Sequence, residues 1–257
     1  DTLGFYYEWR VRVNEGRQAF QRLAEAVDPQ ESAHARMTYI RARAWQAAFL
    51  RQAGKPDVAL ELLDEAAALC EHASLGAQAQ QIERAFIAYQ RGYCLERRQN
   101  ERALACFRAS VARWEACGDS WWTALGLGGL GHALSWSNHF IEAREELSKS
   151  VEIFERYGHV RELVFLHNRL CDCNQFKGEL DAARFYAERA LALAEDAGNR
   201  KGQAGALRNL TELAVLDGDL QKADARDRDT VHLYCSLGVP IGLARARGGR
   251  GKPCRGV

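Results

Sequence analysis

The stretch "ELDAARFYAERALALAEDAG", Glu179 to Gly198, places Ala183, Ala187, Ala190, Leu191 and Ala194 on one stripe at intervals of three and four residues. That is the period of an amphipathic helix. The stretch ends on Gly198, a residue able to take the left-handed conformation that closes a helix. "SKSVEIFERYG" repeats the logic with Val151, Phe154 and Tyr157, and ends at Gly158. Glycines recur at a spacing of forty, at Gly118, Gly158, Gly198 and Gly238. A second series lies between them: aligning "EGRQAFQRLAEA", "KPDVALELLDEA", "QNERALACFRAS", "HFIEAREELSKS", "ELDAARFYAERA" and "DLQKADARDRDT" superposes Ala19, Ala59, Ala103, Ala143, Ala183 and Ala223. Their spacings are 40, 44, 40, 40 and 40. Self-similarity at such a period is the signature of a solenoid.

A further helix precedes each of these. "LGGLGHALSW", "HNRLCDCNQF" and "LRNLTELAVL" are matching apolar stretches, and the latter two lead into the turns "FKGELD" and "LDGDLQ". Glycine and acid there mark one helix stop and the next helix start. Two helices per unit, repeated about six times, predict twelve helices in residues 1–238. The recurring alanine then marks the place where two helix backbones approach closely. A residue as large as tryptophan at Ala183 is expected to overpack that contact.

Composition limits the function classes. The chain has 257 residues, 47% of them apolar, and a net charge of +1. Residues 243–257 carry five basic residues and no acid, so the preceding part has a charge of −4 and is not a nucleic-acid-binding surface. The basic Gly/Arg-rich tail, residues 239–257, lacks apolar periodicity and is expected to be disordered and without function. No apolar run approaches the roughly 20 residues of a membrane span, and no secretory signal opens the chain. The chain starts at Asp1 rather than Met, which is read as a piece of a longer protein. None of the eight cysteines forms a Cys-x2-Cys pair, and they fall mainly within helical patterns, which favours reduced thiols and a cytoplasmic location. His167, Cys171 and Cys173 form the sharpest metal candidate. On a helix, however, Cys173 points about 160° away from Cys171, so helix packing is the preferred reading and no metal is assigned.

"GLGGLG", Gly126 to Gly131, matches the Gly-x-Gly-x-x-Gly dinucleotide fingerprint. That motif works on a strand-to-helix turn, and no βαβ alternation occurs, so these glycines are read as helix-packing residues and no cofactor is expected. "GRGKPC" lacks the leading glycine and the hydroxyl residue of a phosphate loop. No nucleophile elbow, zinc-protease or calcium-loop pattern occurs, and no acid and base are paired for catalysis. The chain is read as non-catalytic. Of the six tryptophans, Trp114, Trp121, Trp122 and Trp136 cluster, mostly as core.

The small residue in the first helix (Ala47, Gly131), the turn glycines Gly54, Gly178 and Gly218, and the aligned alanines together resemble the tetratricopeptide repeat (TPR). The forty-residue period and the opening "FYYEWRVRVNEGRQAFQRLAEA" are similar to the arrays of large bacterial ATP-dependent regulators of the STAND type. The resemblance implies an all-α solenoid that coils into a right-handed superhelix, its concave face built by the first helices. Two departures stand out. Asp227 and Thr230 replace apolar residues in the last helix, as suits a cap facing water, and the third unit slips register near Gly92.

Carried over position by position, the implied concave face consists of Arg41 and Arg51, His132 and Trp136, Asn168, Asp172 and Gln175, and Arg208 and Glu212. Both charges, amides and an aromatic suit an extended peptide or polar ligand. The Lys/Asn carboxylate clamp of some tetratricopeptide domains is not reproduced. The implied partners are a protein or peptide, a small inducer, and other domains of the same parent chain, with no membrane and no direct nucleic-acid contact by the solenoid. The implied role is the sensor or regulatory arm of a bacterial signalling protein. A free-standing adaptor and an enzyme with its site in the groove are the alternatives. Arg208→Glu is expected to abolish ligand binding and leave the melting temperature unchanged.

Overall fold

The computed structural model describes residues 1–71, 76–96 and 98–236. Gly238 and the basic tail, residues 239–257, lie outside them. The described residues form helices and no strands: α1 (Thr2–Trp9), α2 (Val13–Glu25), α3 (Ala33–Gln52), α4 (Pro56–Cys70), α5 (Ala77–Leu95), α6 (Asn100–Ala116), α7 (Ser120–Trp136), α8 (Phe140–Tyr157), α9 (Val160–Phe176), α10 (Leu180–Asp196), α11 (Arg200–Leu216) and α12 (Leu220–Ser236). They fall into two compact units, Asp1–Ser137 and a second that opens at Asn138. Within each unit every helix lies against its sequence neighbours, and α3 also meets α5, α5 meets α7, and α9 meets α11.

Local chemistry sets the helix ends. Ser32, Asp119 and Asn199 cap α3, α7 and α11, their side chains accepting from the backbone N–H three residues on. At the end of α9, Gly178 has φ +77°, its N–H donates to Gln175 O, and Glu179 N–H donates to Asn174 O. Gly218 repeats this arrangement after α11, with φ +79°. A side chain there would be strained, which is why these turns carry glycine.

The even-numbered helices bury a repeated ladder at i, i+4, i+7 and i+11. It reads Ala59, Leu63, Ala66 and Cys70 in α4, and Ala103, Phe107, Ser110 and Trp114 in α6. It continues as Ala143, Leu147, Ser150 and Phe154 in α8, and as Ala183, Ala187, Ala190 and Ala194 in α10. All sixteen are at most 1% exposed, so the aligned alanine heads a buried face in each of these four helices. In α12 the same positions hold Ala223, a half-buried Asp227, Thr230 and Tyr234. The first repeat, with α2, departs from the alignment. In α2 the buried residues are Gly16, Phe20 and Ala24, whereas Ala19 is only partly buried. A Cβ at Gly16 would sit 2.7 Å from the Phe49 ring, so the close approach falls one turn before the aligned position.

The 44-residue spacing also has a physical origin. Against the 40-residue units, α5 at 19 residues is two longer than α7, and the boundaries from α4 to α5 and from α5 to α6 are spaced more widely. "GLGGLG" lies inside α7 and is buried throughout. A Cβ at Gly129 would stand 2.7 Å from the Phe107 ring, and one at Gly92 of α5 would stand 2.8 Å from the same ring. These glycines let α5 and α7 close around one aromatic side chain.

Candidate functional site

In the first unit, the residues expected on the concave face lie on α3 and α7, with α5 between them. Arg41 donates from Nε and Nη2 to both carboxylate oxygens of Glu83, at 2.8 and 2.7 Å. Its Nη1 donates to Asp1 at 2.8 Å, and its guanidinium lies over the Phe86 ring at 4.4 Å. Glu83 is buried to 3% exposure, so this charge is held only because Arg41 neutralises it. Trp45 Nε1 donates to the same Asp1 carboxylate. The Arg41 cluster therefore fastens α1, α3 and α5 together.

Toward the other end of the same helices, Arg51 lies over the Tyr93 ring at 5.1 Å, and its buried Nε has no hydrogen-bond partner among the described residues. Burial pushes the Tyr93 phenol well above its ordinary range, so it stays protonated. The Tyr93 ring sits 6.2 Å from that of His132. Trp136 Nε1 donates to His132 Nε2 at 3.2 Å, and the Glu96 carboxylate stands 3.4 Å from the same nitrogen. One nitrogen cannot accept from the indole and donate to the carboxylate at once. An unprotonated Nε2 accepts from Trp136, whereas a proton on Nε2 would point to Glu96.

In the second unit, Asn168, Asp172 and Gln175 project from α9, and Arg208 and Glu212 from α11. Arg208 Nη2 donates to Asn209 Oδ1 at 2.6 Å and to Asp172 Oδ1 at 3.4 Å, and its Nε lies 3.6 Å from Glu212. Asp172 is also paired with Arg169 at 2.8 Å. Asn209 Nδ2 donates to the backbone and side-chain oxygens of Asn168, which itself donates to Val164 O. Asn168 and Asn209 are buried, so they act as a polar clasp between α9 and α11, while Gln175 is partly exposed. Alternating charges form a continuous band whose side chains are 11% to 34% exposed.

The band corrects one expectation. Arg208 is a structural hub as well as a surface cation, so Arg208→Glu would set a third carboxylate beside Asp172 and Glu212. A loss of about 2 kcal/mol is expected, readable as a lower melting temperature, in place of the unchanged stability that sequence alone suggests. The partners Glu83, Arg169 and Asn209 were not among the sequence candidates. Glu83 and Asn209 sit 42 and 41 residues from the groups they bind, so the repeat period was the signal that would have found them.

The metal candidate resolves into core. Cys171 packs with Ala183, Ala187, Leu210 and Leu213, and Cys173 is fully buried. Burial pushes both thiols up to about 12, so both are protonated at neutral pH. His167 stacks on Tyr186, with ring centroids 5.7 Å apart. Burial, helped by Arg189, lowers its pKa from 6.5 to about 4. Folding therefore keeps His167 neutral, and its contribution is present above pH 6.5 and is lost as the pH falls toward 4. The cost of acidification at this site is at most about 3 kcal/mol. His167→Gln is expected to flatten the dependence of melting temperature on pH in that window. An unaltered profile would show that His167 does not titrate on unfolding.

No protein-family model matches the chain, and no curated protein matches its sequence. Solved structures do match. BtubC (BKLC) from P. vanneervenii aligns with a TM-score of 0.64 at 17% identity, covering 97% of this chain and 95% of that one. A Podosopora anserina protein of nearly identical TPR-like repeats gives 0.58 at 17% identity, over 77% of this chain and 96% of that one. A STAND (signal transduction ATPase with numerous domains) protein with a tetratricopeptide repeat sensor, from Pyrococcus horikoshii, gives 0.64 at 13% identity. The fold is a tetratricopeptide-like solenoid. The match covers 88% of this chain but 34% of the STAND protein. In this TPR-like frame α3, α7, α9 and α11 are first helices of their pairs, and they carry the nine candidate residues. No helix among the described residues is long and apolar enough to cross a membrane.

Proposed function

We propose that the chain is a non-catalytic TPR-like scaffold that holds a protein or peptide on the polar faces of its first helices. The observation that carries this reading is the band on α9 and α11, where Arg169, Asp172, Arg208 and Glu212 hold one another in place while still open in part to solvent. Charges fixed in advance lose little freedom when a ligand arrives, which favours recognition of a polar backbone or side chain. The cluster of Arg51, Tyr93, His132 and Trp136 offers the aromatic counterpart. Similarity to a STAND protein with a tetratricopeptide repeat sensor supports a sensor arm as the setting. A free-standing adaptor is the second reading. Coding DNA upstream that specifies a phosphate loop, Gly-x4-Gly-Lys-Ser/Thr, would decide for the sensor arm.

The test is a peptide array probed with the wild type, Arg208→Gln, Asp172→Asn and, as a control on α10, Arg184→Gln. The expected result is a set of bound peptides lost from the first two variants and kept by the third. An unchanged binding pattern in Arg208→Gln and Asp172→Asn overturns the assignment of this face.

A further inference from the structure

A second surface, outside every residue discussed above as a ligand face, has the form of a binding cleft. It holds about 400 Å³ between α4, α5 and α6. Its floor is small and apolar, with Ala67, Ala88, Ala105 and Ala109 leaving space where larger residues would close the groove. Its walls carry three guanidinium groups, Arg84 and Arg91 from α5 and Arg113 from α6, against one carboxylate, Glu71.

The partners of two of these cations are open to solvent. Arg84 pairs with Glu71 and Arg91 with Asp64, but those carboxylates are 70% and 73% exposed. Exposed pairs of this kind contribute little and exchange partners readily. The Nε atoms of Arg84 and Arg91 are buried and have no hydrogen-bond partner among the described residues. Among the described residues, Arg113 donates to the Ala109 carbonyl. Buried donors without acceptors are uncommon and call for an explanation. An anionic ligand in the cleft supplies one.

The spacing selects the kind of anion. Arg84 and Arg91 are seven residues apart on one face of α5, hence about 10 Å apart along its axis. Two acidic side chains at i and i+7 of an α-helix have the same separation on one face. Alanine floors of this type let a second helix approach closely. We propose that the cleft between α4, α5 and α6 docks an amphipathic helix of a protein partner that presents two acidic residues seven apart, with small or apolar residues between them. Arg91 receives one carboxylate, and Arg84 with Arg113 receives the other. This is recognition of a helix in a groove, with charge complementarity fixing its direction. It is independent of the proposal for α9 and α11.

Cys106 lines the cleft as a free, half-buried thiol and gives a local reporter, while Cys117, also free and half-buried, lies outside the cleft lining. The experiment follows alkylation of both thiols by iodoacetamide in the full chain. The probe is a helical peptide of about fifteen residues, near the shortest length that holds a helix alone, with glutamates at i and i+7. Expected is alkylation of Cys106 slowed about tenfold or more by saturating peptide, with Cys117 unaffected and no protection from the same peptide carrying lysines. Arg91→Glu, and separately Ala105→Glu at an exposed floor position, should each weaken the glutamate peptide about tenfold. The second variant keeps the test valid if the first fails to fold. Equal protection by inorganic phosphate would make the cleft a free-anion site and overturn the helix. Protection by a single-stranded oligonucleotide but not by the peptide would overturn it in favour of nucleic acid. Absence of protection by any of these overturns it outright. Arg208→Gln should leave Cys106 protection unchanged, which separates failure here from failure of the α9–α11 reading.

Discussion

Gly129→Val should destabilise the first unit by about 3 kcal/mol, although glycine is itself a poor helix residue. Replacing glycine inside a helix ordinarily gains up to about 1 kcal/mol. Here that gain meets a hard obstacle, because a Cβ on Gly129 would lie 2.7 Å from the Phe107 ring. Phe107 cannot retreat. It is fully buried, Gly92 of α5 approaches it from another side, and Tyr89 and Tyr93 flank it at centroid distances of 5.9 and 5.0 Å. Accommodating valine therefore requires α7 to move away from α6, which opens the contacts of Trp114 and Val111 with Gly126 as well. All six tryptophans precede Asn138, so tryptophan fluorescence reports on this unit, and its thermal transition should fall by roughly 6–12 °C. Phe107→Leu in the same chain should return part of the loss, because a smaller side chain vacates the space, and a double-mutant cycle would measure that coupling. A wild-type transition in the single variant would mean that α5, α6 and α7 do not close around Phe107.

The same residues show what a sequence discloses. The period, the helix pairs and the role of "GLGGLG" as packing glycines were legible, because backbone chemistry repeats with the unit: a small residue at each close approach and a left-handed residue at each tight turn. Ala19 misled because alanine is common enough to align by composition, while the contact with Phe49 is made by Gly16. The candidate face was legible only in position. Once neighbouring first helices are offset by about forty residues, pairs such as Arg41 with Glu83, Asp172 with Arg208, and Asn168 with Asn209 fall into register. Which donors are consumed by such pairs depends on rotamers and burial, and the pattern of residue types does not encode either. The Arg84–Arg91–Arg113 cleft was missed for a related reason. Its arginines read as ordinary surface charge until the alanines beside them are seen to leave a groove.

Ala183→Leu should produce a loss as large as that of Gly129→Val, confined to another set of helices. Ala183 is fully buried in a cluster with Cys171, Ala187, Leu210 and Leu213, with Leu180, Tyr186 and Leu191 packed around it. The α10 ladder is entirely alanine, so α9 and α11 meet it at close range and leave no void for three further carbon atoms. Overpacking of this kind typically costs about 1–3 kcal/mol, and the upper end applies where two helices converge on one side chain. Leucine is a good helix former, so propensity neither adds to the loss nor hides it. In a repeat protein each element is stabilised by its nearest neighbours, and α10 is in contact with α9 and α11. Hydrogen exchange should accordingly show protection lost first in α9, α10 and α11. Leucine instead of tryptophan at this position keeps the fluorescence signal confined to the first unit, so the two variants can be compared with the same pair of probes. A fully tolerated Ala183→Leu would mean that the recurring alanine does not mark the point where helices meet, and the period of forty would then lose its physical explanation.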